Sequence, residues 1–204
     1  YFSYMMRGMK KRDAKESRIL GSLLRKLGRE IGARVLIEPV WGIVGQIVFK
    51  DGRKSYFRYN TVDLNPVGAS DIAKDKDYAA FFMKKMGYPV PVGDAFASPA
   101  WARAIGSKKS ISAARAYAKK LGYPLIVKPN SGSQGFGVSK VHSDAELIRA
   151  LKAVFEHDKI ALVQKPVSGR DYRIVVLDGR VISTYERIPL SVVGDGRSSI
   201  ASLL

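Results

Sequence analysis

The sequence predicts a mixed α+β fold. Residues 13–31 place Ile19, Leu20, Leu23, Leu24, Leu27 and Ile31 on one stripe at helical period. Residues 123–167 read in the order strand, glycine-rich turn, strand, helix, strand. Residues 171–188 read as a hairpin, with Asp178-Gly179 at its turn.

The elements follow in chain order. After the first helix, residues 33–42 form a strand and an exit turn. Residues 46–59 form a hairpin with Asp51-Gly52 at the tip, because both residues tolerate positive φ. Residues 70–87 read as one helix, capped by Ser70 or Asp71 and ended by Gly87. Two prolines keep residues 88–96 extended. Residues 110–122 form a helix that stops at Gly122. Residues 143–157 form an amphipathic helix with a capping box, Ser143 to Glu146. Residues 160–167 are an apolar strand, and residues 192–204 begin a loop that leads into a short helix.

Composition narrows the function classes. With 46% apolar residues and 10% aromatics, the 204 residues suit a globular protein. No apolar run approaches the roughly 18 residues of a membrane span. The opening "YFSYMMRGMKKR" puts apolar residues before basic ones, the reverse of an export signal, so a cytoplasmic location is expected. Cysteine is absent, which excludes disulfides and thiolate metal sites. The net charge of +17 favours anionic partners, although Lys10-Lys11-Arg12, Lys84-Lys85, Lys108-Lys109 and Lys119-Lys120 are scattered clusters. Basic and aromatic residues interleave once, in "RKSYFRY" at 53–59, as single-strand nucleic-acid binding requires. A half-exposed strand would look the same. His142 and His157, the only histidines, have no partner for metal or triad chemistry and read as structural.

The stretch "IVKPNSGSQGFGVSKV" (126–141) is the most informative. A P-loop follows its strand with G-x-x-x-x-G-K-[ST] and opens into a helix. A dinucleotide fingerprint needs a helix there too. Here a strand follows, and the lysine-serine pair is absent. A hairpin tip over a triphosphate fits Gly132, Gly135 and Gly137 better, since bare backbone N–H groups can approach phosphate oxygens closely.

From about Asp71 to Leu204 the chain resembles the ATP-grasp superfamily of carboxylate–amine ligases. The resemblance is closest to the branch of cyanophycin synthetase, glutathione synthetase and the ribosomal-protein glutamate ligases. Four stretches carry it: "IAKDK…MGYPVP" (72–91), "YPLIVKPNSGSQGFGV" (123–138), "ALVQKPVSGRDYRIVVLDGRVI" (161–182) and "ERIPLSVVGDGRSSI" (186–200). It implies an N-terminal α/β region (1–70), a linker with the small ATP-grasp subdomain (71–167) and the start of the large subdomain (168–204).

The resemblance also implies a site for ATP. Lys128 would hold the α- and β-phosphates, with Lys76 as its companion from the linker, although Lys74 lies two residues away. The loop Ser131–Gly137 would close over the β- and γ-phosphates, with Ser131 and Ser133 adding hydroxyls to Gly132, Gly135 and Gly137. The hinge would use Gln164, where the family carries glutamate, and backbone groups of Lys165 and Val167 against adenine. Asp171 would accept the ribose hydroxyls; alternatively it pairs with Arg170. Arg173, two residues on, shares a strand face with Asp171. Arg187 resembles a position near the γ-phosphate or acyl group. In a two-residue hairpin, however, Arg173 faces Thr184 and Arg187 points to the other side. Either a bulge shifts the register or Arg187 lies outside the site.

The family binds Mg2+ through an acidic residue and a later Glu-x-Asn. Asn60, Asn65 and Asn130 all precede the hinge, and no Glu-x-Asn occurs. The Mg2+ ligands are therefore expected beyond Leu204, or are lost, and the chain alone is expected to be inactive. The implied partners are ATP and an amino-acid or peptide substrate, acidic in keeping with the charge, and no membrane. Oligomeric state is open. Two alternatives remain beside the ligase: a basic nucleic-acid-binding module and a degenerate scaffold.

Overall fold

The computed structural model describes residues 11–59, 61–189 and 191–203. Residues 1–10, Asn60, Leu190 and Leu204 lie outside the described residues, so part of the expected N-terminal region and the chain's last residue do too. The chain divides into two compact units, Tyr1–Ala79 and Ala80–Leu204.

In the first unit, helix α1 (Lys11–Glu30) packs on a four-stranded antiparallel sheet in the order β1 (Arg34–Ile37), β2 (Val44–Val48), β3 (Lys54–Arg58), β4 (Thr61–Val62). The buried side of α1 is not the expected leucine stripe. Leu20 and Leu24 are half-buried and Gly21 and Gly28 buried, whereas Ile19, Leu23, Leu27 and Ile31 are exposed. Close approach is the reason. A Cβ on Gly28 would lie 2.6 Å from Val35 Cγ2, and one on Gly21 would lie 2.9 Å from Ile37 Cδ1. The smallest residues therefore face the sheet. After β1 the Glu38 carboxylate accepts the N–H groups of Val40, Trp41 and Gly42 and closes the turn into β2. The register sets Leu36, Gln46 and Tyr56 side by side on the face away from α1. Lys54 and Arg58 share that face, and Gln46 Nε2 donates to Tyr56 Oη at 2.8 Å.

The expected single helix over 70–87 is two. Helix α2 runs Val67–Lys74 and α3 runs Lys76–Lys85, separated by Asp75 at φ −96°, ψ 115°. The helix begins earlier than expected, after Pro66, so Ser70 and Asp71 are interior residues and not caps. Pro66 supplies a pre-set φ in place of a capping side chain. Gly87, at φ 84°, ends α3 as expected, with Tyr88 N–H donating to Met83 O.

The second unit is built on an antiparallel sheet in the order β5 (Gly93–Ala97), β8 (Ile160–Gln164), β6 (Leu125–Pro129), β7 (Ser139–Val141). Helix α5 (Ile111–Leu121), capped by Ser110, and α6 (Asp144–Phe155), capped by Ser143, cover one face. Phe96, Leu125, Val127, Leu147, Leu151 and Val163 fill the core between them. Arg115 on α5 forks onto the Asp144 carboxylate at the start of α6, at 2.6 Å from Nη2. That bond holds the Asp144 carboxyl below its ordinary pKa. The capping box differs in one bond: Glu146 accepts the N–H of His142, not of Ser143. A short helix, α4 (Pro99–Ala104), was not expected; Ser98 caps it and Pro99 starts it.

The chain then leaves β8 and forms the hairpin β9 (Tyr172–Leu177) and β10 (Arg180–Glu186), exposed throughout. A final helix, α7 (Ile200–Leu203), follows the turn at Asp195. There the Asp195 carboxylate accepts the N–H groups of Ser198 and Arg197 and the Ser198 hydroxyl. No helix among the described residues is long and apolar enough to cross a membrane.

Two outcomes follow from these contacts. Leu151→Ala, at a position with 0% exposure, should destabilise the second unit by about 2–5 kcal/mol in urea unfolding, and Ile174→Ala in the exposed hairpin by about 0.5 kcal/mol or less. The bonds from Ser198, then Arg197, lower the Asp195 carboxyl to about 2. Because that pKa is depressed, the turn's support is complete above the ordinary carboxyl value and disappears as pH falls through about 2. Carboxyl NMR titration should find that midpoint, and an ordinary Asp midpoint would show that the turn is unmade.

Candidate functional site

Strand β6 positions the first group. Its burial alternates, with Leu125, Val127 and Pro129 turned toward the helices and Ile126 and Lys128 toward the other face. Pairing with β8 sets Lys128 opposite Leu162 and Ile126 opposite Gln164. Lys128 and Gln164 are therefore diagonal neighbours on the face opposite α5 and α6, a spacing of roughly 7–8 Å in antiparallel sheets.

Gln164 is 7% exposed and lies opposite Gly93 of β5. A Cβ on Gly93 would come within 2.3 Å of Gln164 Cγ, so only glycine lets β5 pass this amide. The sequence reading missed Gly93, which looked like one more residue of an extended stretch.

The glycine loop continues directly from β6. Gly132, Gln134, Gly135 and Gly137 all take positive φ, between 59° and 83°. Gly137 also meets a space limit, since its Cβ would lie 2.9 Å from Pro129 Cγ. Two turn bonds close the loop on itself, Phe136 N–H to Ser133 O and Val138 N–H to Gly135 O. Ser133 is exposed. Ser131 serves the base of the loop: its N–H and its hydroxyl both donate to Asp158 Oδ2 at 2.8 Å. Burial opposes ionisation of Asp158, but the bonds from Ser131, Ile160 and Lys159 outweigh it and lower its pKa. Asp158 was missed as well; its partner is 27 residues away and no motif announces it. His157 lies edge-on to the exposed Phe136 ring, with centroids 5.5 Å apart. His142 gives its N–H to Glu146.

The hinge strand ends at Gln164, three residues earlier than expected. Lys165 N–H donates to Val92 O, and its Nζ reaches Gly122 O at the end of α5, at 2.7 Å. Its side chain and its amide are thus structural, which leaves its carbonyl for a hinge role. Val167 is exposed.

In the hairpin, Arg173 faces Tyr185 and not Thr184, because the register shifts between Val181 and Ser183. Ile182 is the extra residue of a β-bulge. The shift carries Arg187 opposite Asp171, with Arg187 N–H on Asp171 O at 2.7 Å. By strand alternation Asp171, Arg173 and Arg187 then share one face. Arg187 Nη2 pairs with Asp171 at 2.7 Å, so Arg187 and not Arg170 is the partner of this carboxylate. Arg170 lies over the Tyr172 ring instead. Lys76 opens α3 within the first unit, immediately after the Asp75 break.

Among the described residues no group of three or more His, Asp or Glu side chains is arranged to hold a metal ion. The Asp158 carboxylate accepts from Ser131 and Ile160, and that of Asp171 pairs with Arg187.

Comparison with known proteins bears on the same segment. Residues 82–193, just over half of the chain, match the family model described as D-ala D-ala ligase C-terminus. The chain is 28% identical to the cyanophycin synthetase of Trichormus variabilis over 176 residues, 86% of this chain and 17% of that protein. It is 32% identical over 127 residues to the glutathione biosynthesis bifunctional protein GshAB of Streptococcus mutans, 60% of this chain and 15% of that one. It is 41% identical over 70 residues to the D-alanine–D-alanine ligase of Glaesserella parasuis, 34% of this chain and 23% of that one. Among solved structures, VanG D-Ala:D-Ser ligase from Enterococcus faecalis is similar over 51% of this chain and 28% of its own, at 28% identity and TM-score 0.43. The chain spans less than a quarter of the length of these curated relatives. The matched segment holds β5 to β10, the glycine loop and the hinge, and the chain belongs to the D-Ala–D-Ala ligase C-terminal family, with an ATP-grasp fold.

Proposed function

We propose that this chain carries the nucleotide-binding part of an ATP-dependent carboxylate–amine ligase acting on an amino acid or peptide. The observation that carries the reading is the β6–β8 register. It sets Lys128 and Gln164 on one face, opposite α5 and α6, with the glycine loop leaving the same strand just beyond Lys128. Lys128 would neutralise phosphate charge from a rigid strand end. The loop's N–H groups would take the phosphate oxygens that no side chain obstructs. The Gln164 amide oxygen would accept the adenine amino group, and the Lys165 carbonyl would add a second acceptor at the hinge. Asp171 would receive the ribose hydroxyls, with Arg173 and Arg187 on the same face meeting the phosphate or carboxylate.

In this reading a carboxylate oxygen attacks the γ-phosphorus and ADP leaves. An amine then adds to the acyl carbon, and the C–O bond breaks with its electron pair going to inorganic phosphate. The nitrogen gives up one proton to solvent or to the departing phosphate. Negative charge accumulates on phosphoryl and acyl oxygens, so fixed cations and N–H donors are the contribution the chain can make. Mg2+ enters no step here.

The test is equilibrium titration of the chain with a non-hydrolysable ATP analogue and with single-stranded DNA, at two salt concentrations. Lys128→Met should weaken the ATP analogue by about tenfold to a hundredfold, the size of a lost charge-assisted contact. The opposite result, steeply salt-dependent DNA binding indifferent to Lys128, would favour the basic open face of the first sheet as the working surface.

A further inference from the structure

We infer that Asp158 is the positioning residue of the glycine loop: its carboxylate sets the direction in which the chain leaves β6, and through it the place of the loop's phosphate-facing N–H groups. The inference rests on the nucleotide reading of that loop given above.

Asp158 is itself firmly held. It lies in the joint between α6 and β8, and its N–H donates to Val154 O at 2.9 Å, as that of His157 does at 3.0 Å. Val154 and Ala161, on either side of the joint, are 2% and 0% exposed. The carboxylate therefore projects from a part of the backbone fixed by the core. Its Oδ2 takes both donors of Ser131, and its Oδ1 takes the Ile160 N–H at 3.1 Å.

Those bonds leave Ser131 little freedom. An anion shared between the N–H and the hydroxyl of one residue fixes both its backbone direction and its χ1. A backbone bond beside it, Asn130 N–H to Ile160 O at 3.0 Å, ties the preceding residue to the same joint. Lys128 stands three residues before Ser131, so the base of the loop and the lysine share one anchored strand end. The joint also meets the loop farther out, where His157 lies against Phe136. Beyond Ser131 the glycines at positive φ give a backbone with few conformational barriers. Such a loop presents its donors reproducibly only if its base is held.

Only a carboxylate can fill this role fully. The two oxygens of Asp158 face donors on opposite sides, Ser131 and Ile160. An amide of the same shape has one acceptor and one donor, so Asp158→Asn must set its NH2 against one of them. That variant removes an acceptor without making a cavity.

The test uses the whole chain as wild type, Asp158→Asn and Ser131→Ala. Hydrogen exchange of amides 131–137 is followed, and affinities are measured for a non-hydrolysable ATP analogue and for adenosine, which has no phosphates. In Asp158→Asn, loop exchange should accelerate by about tenfold and ATP-analogue affinity should fall by about five- to fiftyfold, with adenosine affinity unchanged. Ser131→Ala keeps the amide bond and should show the same pattern at about threefold, so it carries the test if Asp158→Asn does not fold. A double variant carrying both Asp158→Asn and Ser131→Ala should lose less than the product of the two single losses, because both remove one shared interaction. Unchanged loop exchange, or equal losses for adenosine and the ATP analogue, overturns the positioning role. If the wild type binds neither ligand, the nucleotide reading fails, and the exchange data alone decide whether Asp158 anchors the loop.

Discussion

The pairing of β6 with β8 is the constraint on which the second unit depends. Val127 lies opposite Val163, and both are fully buried beneath α5 and α6. Because side chains alternate along a strand, this one pairing decides the face of every neighbour. Lys128 is thereby placed opposite Leu162, and Gln164 opposite Ile126. A slip of one residue would turn the Lys128 ammonium into the core beside Leu151 and bring Val127 out. Burying an unpaired cation costs far more than a lost hydrogen bond, so the register is strongly specified. Gly93 adds a second restriction from β5, since only there can the neighbouring strand pass Gln164 without a side chain.

The loop that leaves this strand combines two opposite properties. Its base at Asn130 and Ser131 is bonded to the α6–β8 joint, and its outer half consists of turns with positive φ. Gly137 shows that glycine here meets two requirements at once, a φ of 67° and a backbone lying against Pro129. A side chain there would have to displace the ring that ends β6. The sheet, its lysine and the turn therefore form one mechanical piece in which a change at any point reaches the others.

Much of this was legible in the residues. Helices bounded by a capping serine and a closing glycine, as in Ser110 to Gly122, announce themselves because both signals are local. The signal for α4 was equally local, in Ser98-Pro99 and Gly106, and was overlooked because its helix is only 6 residues long. The break at Asp75 carries neither glycine nor proline, so nothing nearby marks it. The leucine stripe of α1 misled for a different reason. Periodicity reports which residues are apolar, whereas Gly21 and Gly28 decide how closely the helix can approach the sheet. For the candidate site, Lys128, Gln164 and the glycines stand inside recognisable stretches. Gly93 and Asp158 act through contacts made far along the chain, and a pattern of neighbours cannot contain them.

The hairpin shows how one residue can alter the arithmetic of a site. With a plain two-residue turn, Arg187 would face away from Arg173. The extra residue Ile182 restores the parity, so that Asp171, Arg173 and Arg187 share a face. A bulge costs one ladder bond and adds twist, and an exposed two-stranded ribbon can absorb both. The resulting Asp171–Arg187 pair does not conflict with a ribose-binding role for Asp171. Both side chains are about half exposed, at 57% and 51%. Water screens such a pair, and its net contribution is small. A carboxylate in that setting has lone pairs to spare beyond the two it gives the guanidinium, so ribose hydroxyls can bond without first breaking the ion pair. What sets residue 171 on the strand is the backbone bond from Arg187 N–H to Asp171 O, not the screened ion pair. The same bulge that made Arg187 unreadable from its neighbours is thus what gives Asp171 a defined position on the strand.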